Sequence, residues 1–292
     1  MADGRPSGAL LLDKPTGLTS ARALSKVKRL LPKGTRIGHT GTLDPLASGL
    51  LVLLIGRATR LARYVTPLDK SYTTTARVGV VSTTLDAEGE LSPVEGPIPD
   101  EVAIRAELPN FTGNILQTPP MTSALKVGGK RLYDLHRRGI EVEREARPVE
   151  IHTLDLVSTD PAERTATFEV SCSSGTYVRS LISDLFHALG SGAYLTTLRR
   201  TRVGDLPVSH AIPHDDLTDD NINNRIIQND AVLGRLPRVE VPEEARGAVC
   251  NGRKFPAFGV EGSYRVVAGG ELLAVYRDEG DLARAEVVLC AP

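Results

Sequence analysis

One carboxylate and one histidine stand among three glycines in Gly38-His39-Thr40-Gly41-Thr42-Leu43-Asp44-Pro45-Leu46-Ala47-Ser48-Gly49. Pro45 fixes its own φ and biases Asp44 toward an extended backbone, so Asp44 is a stiff point rather than part of a floppy loop. A carboxylate held this way can act as a nucleophile or as a base. The same residues also compose an ordinary surface turn, since Asp-Pro and glycine are common turn residues. Glycines at 38, 41 and 49 allow positive φ or a close approach of backbone to a ligand. Other chemistries find no support in the sequence. It holds no G-x-S-x-G elbow, no G-x-x-x-x-G-K-[ST] phosphate loop and no metal-ligand spacing.

The elements that must position this loop follow from the apolar pattern. Residues 9–12 form a short strand, turned by Lys14-Pro15-Thr16-Gly17. Thr19 is suited to cap a helix over about 20–31, with Leu24, Val27, Leu30 and Leu31 inward and Lys26, Lys28 and Arg29 outward. Leu50 to Ile55 reads as a central strand, followed by a short helix near 58–65 and a Thr- and Val-rich strand over 71–80. Asp86-Ala87-Glu88-Gly89 is a turn in which Asp86 either shapes the loop or supports a site. A short helix is expected over 99–108, and residues 149–157 and 165–172 pair as strands. A helix begins at 175–179 and runs to about 189, burying Ile182, Leu185, Phe186 and Leu189. A strand over 193–203 carries Leu198-Arg199-Arg200. Between these, 119–147 is the most irregular stretch, rich in charge and poor in apolar residues. Residues 211–236 are polar, a linker or short helices, and 237–292 reads as short strands punctuated by glycine.

A length of 292 residues suggests about two domains. No apolar run is long enough to span a bilayer, and the polar N-terminus shows no signal-peptide core. Cys172, Cys250 and Cys290 are odd in number and widely spaced. They give no disulfide framework and no C-x-x-C metal spacing, and the compartment reads as cytoplasmic. The net charge is −1, but residues 1–60 hold 10 Lys/Arg against 3 Asp/Glu, while 61–292 hold 25 against 33. Such a split permits a nucleic-acid partner and is equally a solvated surface.

His39-Thr40-Gly41-Thr42-Leu43-Asp44-Pro45 resembles the H-x-G-x-L-D-P signature of the bacterial tRNA pseudouridine synthases that modify uridine 55 of the T-loop, the TruB type. Leu11 to Gly17, Lys70-Ser71-Tyr72, Ser123-Ala124-Leu125-Lys126, Arg147-Pro148, Gly175 to Ser180 and Leu198-Arg199-Arg200 resemble further motifs of that family. They occur in the family's order over roughly residues 8 to 204.

The resemblance implies an isomerase that breaks the N-glycosidic bond of a uridine, turns the uracil and rejoins it through C5. No metal and no cofactor are required. By the same resemblance Asp44 is catalytic, Arg179 pairs with it, Tyr72 stacks on the target base, and Tyr177 and Leu198 border the base pocket. His39 is suited to RNA contact, and Lys14 and Lys126 support the site. The target uridine must leave the stack to be reached, which calls for aromatic and apolar walls. The implied fold is α+β, with a mainly antiparallel catalytic domain over 1–210 and an RNA-binding thumb at 119–147. A linker over 211–236 and a small PUA-like β domain over 237–292 complete it. The implied partner is the T-arm of tRNA, met by a monomer. Lys126, Lys130, Arg131, Arg137 and Arg138 fit phosphate contacts. A tRNA-folding helper with secondary catalysis is the alternative.

Overall fold

The computed structural model describes residues 6–290 apart from 124, 128, 137 and 138; the side chains of 126, 127, 130, 131, 134 and 136 are also outside the described set. The chain divides into two compact units, one of residues 44–49 and 68–204, the other of 1–43, 50–67 and 205–292.

The first of these units is an antiparallel sheet with a helix against it. Its strands lie in the order Ala193–Val203, Lys70–Val78, Thr165–Cys172, Arg147–Asp160 and Gly113–Gln117, each antiparallel to the next. Alternation of Ala76, Val78, Phe168, Val170, Leu195 and Leu198 supplies the buried face. Helix Val178–Ala188 buries Leu181, Ile182, Leu185 and Phe186, and Phe186 meets Phe168 edge to face with centroids 6.2 Å apart. The 147–160 strand runs longer than the apolar pattern indicates, because residues 147–148 and 158–160, none of them buried, extend it through backbone pairing with Gly113–Gln117 and Thr165–Cys172. The 119–147 stretch is more ordered than its composition suggests. Helix Leu132–His136 packs Leu132 and Leu135 on Met121, with Leu125 and Val142 beside them. The backbone of Lys126 lies in a two-residue strand paired with Lys130–Arg131. The side chains of Lys126, Lys130 and Arg131, and all of Arg137 and Arg138, lie outside the described residues.

In the other unit, strand Gly8–Lys14 has residues 50–55 of the Ser48–Ile55 strand as neighbour, and Ile37–His39 pairs antiparallel with those residues. Residues 211–236 fold into short pieces. Ile212–Pro213 and Ile226–Ile227 both pair with Gly8–Lys14. Helix Ser20–Leu30 is capped as expected, with the Thr19 hydroxyl accepting from the Arg22 amide. Of the expected stripe, Val27 and Leu31 are buried and Leu24 and Leu30 half-buried, while Ser20 and Ala23 are covered as well. A five-stranded sheet in the order Arg238–Glu240, Ser263–Ala268, Glu271–Glu279, Leu282–Val288 and Phe255–Pro256 closes on a core containing Tyr264, Leu273 and Tyr276. The mixed, mainly antiparallel α+β class and the C-terminal β domain are therefore as the sequence indicates. The cysteine reading is corrected. Cys250 and Cys290 form a disulfide, their Cα atoms 5.3 Å apart although 40 residues separate them in sequence. Cys172 is free and buried.

Candidate active site

The Asp44 loop is shaped by backbone constraints. The Ala47 amide donates to Asp44 O at 3.1 Å, and Ser48 and Gly49 then pair in parallel register with Arg199 and Arg200. Gly49 has φ +97°, and a Cβ there would lie 2.3 Å from Arg200 O, so no other residue fits. Gly41 also has positive φ, at 147°. Gly38 does not need to be glycine; it is a strand residue with open space beside it. One residue ahead of Asp44, the buried Ser20 hydroxyl donates to Leu43 O at 2.9 Å and accepts from the Leu43 amide at 2.7 Å. That double anchor has no motif to announce it in the sequence.

Arg179, the second residue of helix Val178–Ala188, is 3% exposed and holds two carboxylates. Its Nη2 lies 2.9 Å from Asp44 Oδ2, and its Nη1 lies 3.0 Å from Asp86 Oδ2. The guanidinium also donates to Thr84 O at 2.7 Å, Thr122 Oγ1 at 2.6 Å and Thr122 O at 3.1 Å. Such a planar fork fixes both acids in one geometry. Asp86 is itself fastened by the Thr84 hydroxyl and the Glu88 amide. The two acids differ in exposure. Asp86 is buried, whereas the Asp44 side chain is 34% exposed. Asp86 thus balances the buried guanidinium from behind, and Asp44 presents its charge outward. Sequence reasoning gave Asp86 no firm role; nothing in a turn signature reveals that its carboxylate meets an arginine 93 residues on.

The walls come from neighbouring strands and the helix start. Tyr72 sits opposite Arg200 and Thr74 opposite Leu198 in the antiparallel ladder, so all four project from one face. Burial pushes the Tyr72 phenol up; Arg200, which hydrogen-bonds it, pulls the other way, and the Asp44 charge adds to the rise. Tyr72 therefore stays a protonated phenol at neutral pH. Tyr177 is raised for the same reason, burial first, with the Asp44 charge again contributing. The charge of Asp44 contributes to the rise of both phenols, so both tyrosines lie within its electrostatic reach. Tyr177 is held through its backbone: its amide donates to Gln117 Oε1 at 2.7 Å and its carbonyl accepts from Gln117 Nε2 at 3.1 Å. Gln117 is buried, and it was not singled out from the sequence.

Lys70, also buried, is lowered to about 8, first by burial and then by the like charge of Arg200. It stands opposite Cys172 in the ladder, and burial raises that thiol to about 11.

His39 and Lys14 lie in the other unit. His39 ends strand Ile37–His39, opposite Leu53. Lys14 is fully buried, and its Nζ donates to Pro15 O at 2.9 Å and Leu18 O at 2.7 Å, which closes the turn after its strand. Among the described residues no group of three or more His, Cys, Asp or Glu is arranged to hold a metal ion, and no helix is long and apolar enough to cross a membrane.

Comparison with known proteins places these features in a family. Residues 28–178 match the family described as TruB family pseudouridylate synthase (N terminal domain). The chain is 44% identical over 297 residues to the tRNA pseudouridine synthase B of Burkholderia mallei (strain NCTC 10247), covering 100% of this chain and 97% of the relative. It is 43% identical over 278 residues to the tRNA pseudouridine synthase B of Cupriavidus metallidurans, covering 94% and 88%. Among solved structures, a chain of a Cbf5-Nop10-Gar1 complex superposes with a TM-score of 0.74 at 25% identity, over 97% of this chain and 85% of that one.

Proposed function

Because the chain belongs to the TruB family of pseudouridylate synthases, we propose that it isomerises uridine 55 in the T-loop of tRNA to pseudouridine. The observation that carries the reading is the Asp44–Arg179–Asp86 arrangement, flanked by Tyr72, Tyr177 and Leu198. The reaction breaks the C1′–N1 bond, forms a C1′–C5 bond, releases a proton from C5 and returns one to N1. Nothing is oxidised or reduced, so the bookkeeping requires no cofactor. What it requires is one carboxylate at the sugar, which the exposed edge of Asp44 supplies as nucleophile or base. Arg179 keeps that carboxylate aimed. Asp86 holds Arg179 in turn, so the aim does not depend on the substrate being present.

A uridine inside a folded T-arm is out of reach and must be turned out of the stack. Tyr72 and Leu198, on one face of adjacent strands, and Tyr177, at the helix start, provide an aromatic and an apolar surface for the extruded base. The raised phenol of Tyr72 makes it a hydrogen-bond donor to that base at neutral pH. His39 contacts the RNA, while Lys14 and Lys126 act in support. The 119–147 segment serves as the thumb closing on the T-arm, and residues 237–292 as a PUA-like RNA-binding domain after a 211–236 linker and a 1–210 catalytic domain. The enzyme acts as a monomer in the cytoplasm, where the Cys250–Cys290 pair would be kept as a dithiol.

An unmodified tRNA transcript incubated with the purified chain tests the reading. Pseudouridine at position 55 and nowhere else is expected. Binding of the transcript without any isomerisation would establish the folding-helper alternative instead.

A further inference from the structure

Several surface arginines of this protein are neutralised in place. Arg77 pairs with Glu163, Arg105 with Glu101, Arg235 with Asp205, Arg246 with Glu243 and Glu271, and Arg284 with Glu279. One region gathers cations without acidic residues among them. No Asp or Glu occurs between Lys14 and Leu43, and the cations of helix Ser20–Leu30 and its exit line an open groove of about 1040 Å³. Arg22, Lys28, Arg29 and Lys33 are exposed there, and among the described residues none of them has a carboxylate partner. Lys26, also lining the groove, is turned to the opposite wall, donating to His214 O at 2.6 Å and lying 3.8 Å from the exposed Asp215 carboxylate.

Helix electrostatics do not account for this concentration. Lys28 and Arg29 sit in the last turn, where the dipole favours cations, but Arg22 sits in the first turn, where it opposes a cation, and no acidic residue offsets it there. Five like charges around one concavity repel one another, and that repulsion is relieved by a polyanion. A second observation is independent of charge. The His214 side chain borders the groove and is nine-tenths buried; its Nδ1 meets Asp215 Oδ1 at 2.8 Å, while its Nε2 is buried with no hydrogen-bond partner. An unsatisfied buried imidazole nitrogen is a standing deficit that a bound group can relieve. An imidazole can accept at Nε2 when neutral and donate when protonated. A ribose 2′-hydroxyl meets the first need and a phosphate the second, and the backbone of RNA carries both.

We propose that this groove, lined by Arg22, Lys26, Lys28, Arg29, Lys33 and His214, is a binding site for the phosphodiester backbone of RNA. The inference rests on the tRNA reading and adds to it a defined set of phosphate contacts made by residues outside the unit that holds Asp44 and Arg179. The groove supplies affinity and salt dependence; it contributes no group to the isomerisation.

The test compares Lys28→Gln/Arg29→Gln with Arg77→Gln/Arg105→Gln, which removes the same charge from positions already paired with carboxylates. Affinity for an unmodified tRNA transcript is measured between about 0.05 and 0.2 M salt, with circular dichroism to confirm that both variants fold. The groove variant should bind about tenfold or more weakly at ~0.1 M salt, with a log–log salt slope lower by about 2, and the control should match the wild type. Wild-type affinity and slope in a folded groove variant, while the wild-type chain still binds tRNA and forms pseudouridine, would overturn the groove and leave the function standing. Equal weakening in both variants would also overturn it, since only net charge would then matter. A wild-type chain that forms no pseudouridine would instead strike at the functional reading.

Discussion

Arg179 Nη2 lies 2.9 Å from Asp44 Oδ2, and the other amino group of the same guanidinium is taken by Asp86. A single rigid fork therefore couples an exposed acid to a buried one. Replacing it by a flexible point charge breaks that coupling, because an ammonium cannot span both carboxylates. Arg179→Lys should lower turnover while leaving some activity, and should destabilise the fold by about 2 kcal/mol through the poorly compensated Asp86. Denaturant unfolding and single-turnover rates on tRNA read the two effects separately. An unchanged rate together with unchanged stability would show that the fork matters for neither.

Gln117 holds Tyr177 by both of its backbone polar groups. Gln117→Leu keeps the volume and leaves a buried amide and a buried carbonyl unsatisfied, a loss of about 1–3 kcal/mol. The Tyr177 ring then loses its fixed position, so kcat should fall by more than the stability change alone produces at a temperature where the variant is fully folded. A variant that is less stable but turns over normally would confine Gln117 to a structural role.

The loop glycines differ, although they look alike in the sequence. Gly49→Ala puts a Cβ 2.3 Å from Arg200 O at a φ of +97°, whereas Gly38→Ala meets nothing within 4 Å. The first should unfold or strongly destabilise the chain, and the second should change stability by less than about 1 kcal/mol. Equal thermal midpoints for the two variants would contradict the loop geometry.

Much of the fold was legible because it obeys simple periodicities. The Lys70–Val78, Thr165–Cys172 and Ala193–Val203 strands alternate, and the Thr19 cap marks its helix. Asp44 was singled out through the resemblance of its motif to a known family, since Pro45 and the surrounding glycines alone equally compose a surface turn. What stayed hidden is long-range and polar. Asp86 meets Arg179 across 93 residues, Gln117 meets Tyr177 across 60, and Ser20 grips Leu43 across 23. No local pattern records such pairings, because each depends on which strands become neighbours. The Cys250–Cys290 pairing was missed for the same reason. The 119–147 stretch was read as irregular since a core of only a few apolar residues leaves little periodicity.

Lys70 offers a pH-dependent check on the same face of the sheet. Its folded pKa of about 8 lies below the ordinary 10.5, so the unfolded chain binds the proton more tightly. Below about pH 8 the lysine is charged in both states and its desolvation penalty is fully present. As pH rises from about 8 toward 10.5 the folded state loses its proton first, and stability contributed by this group increases. Lys70→Met removes the titration. The difference in unfolding free energy between wild type and Lys70→Met should therefore shift in favour of the wild type across that window. A difference that stays flat from pH 7 to 10 would show that Lys70 keeps an ordinary pKa.

The central claim is that Asp44 performs the chemistry while its surroundings hold it in place, and Asp44→Asn addresses it most directly. The amide preserves size and can still accept from Arg179, so the loop and the RNA-binding surfaces survive; the negative charge is what disappears. Single-turnover pseudouridine formation at position 55 of a tRNA transcript, measured beside the dissociation constant for the same RNA, gives the decisive pair of numbers. Wild-type binding with no detectable pseudouridine is the predicted result. Pseudouridine formed at a rate near that of the wild type would contradict the assignment of Asp44 as the catalytic residue.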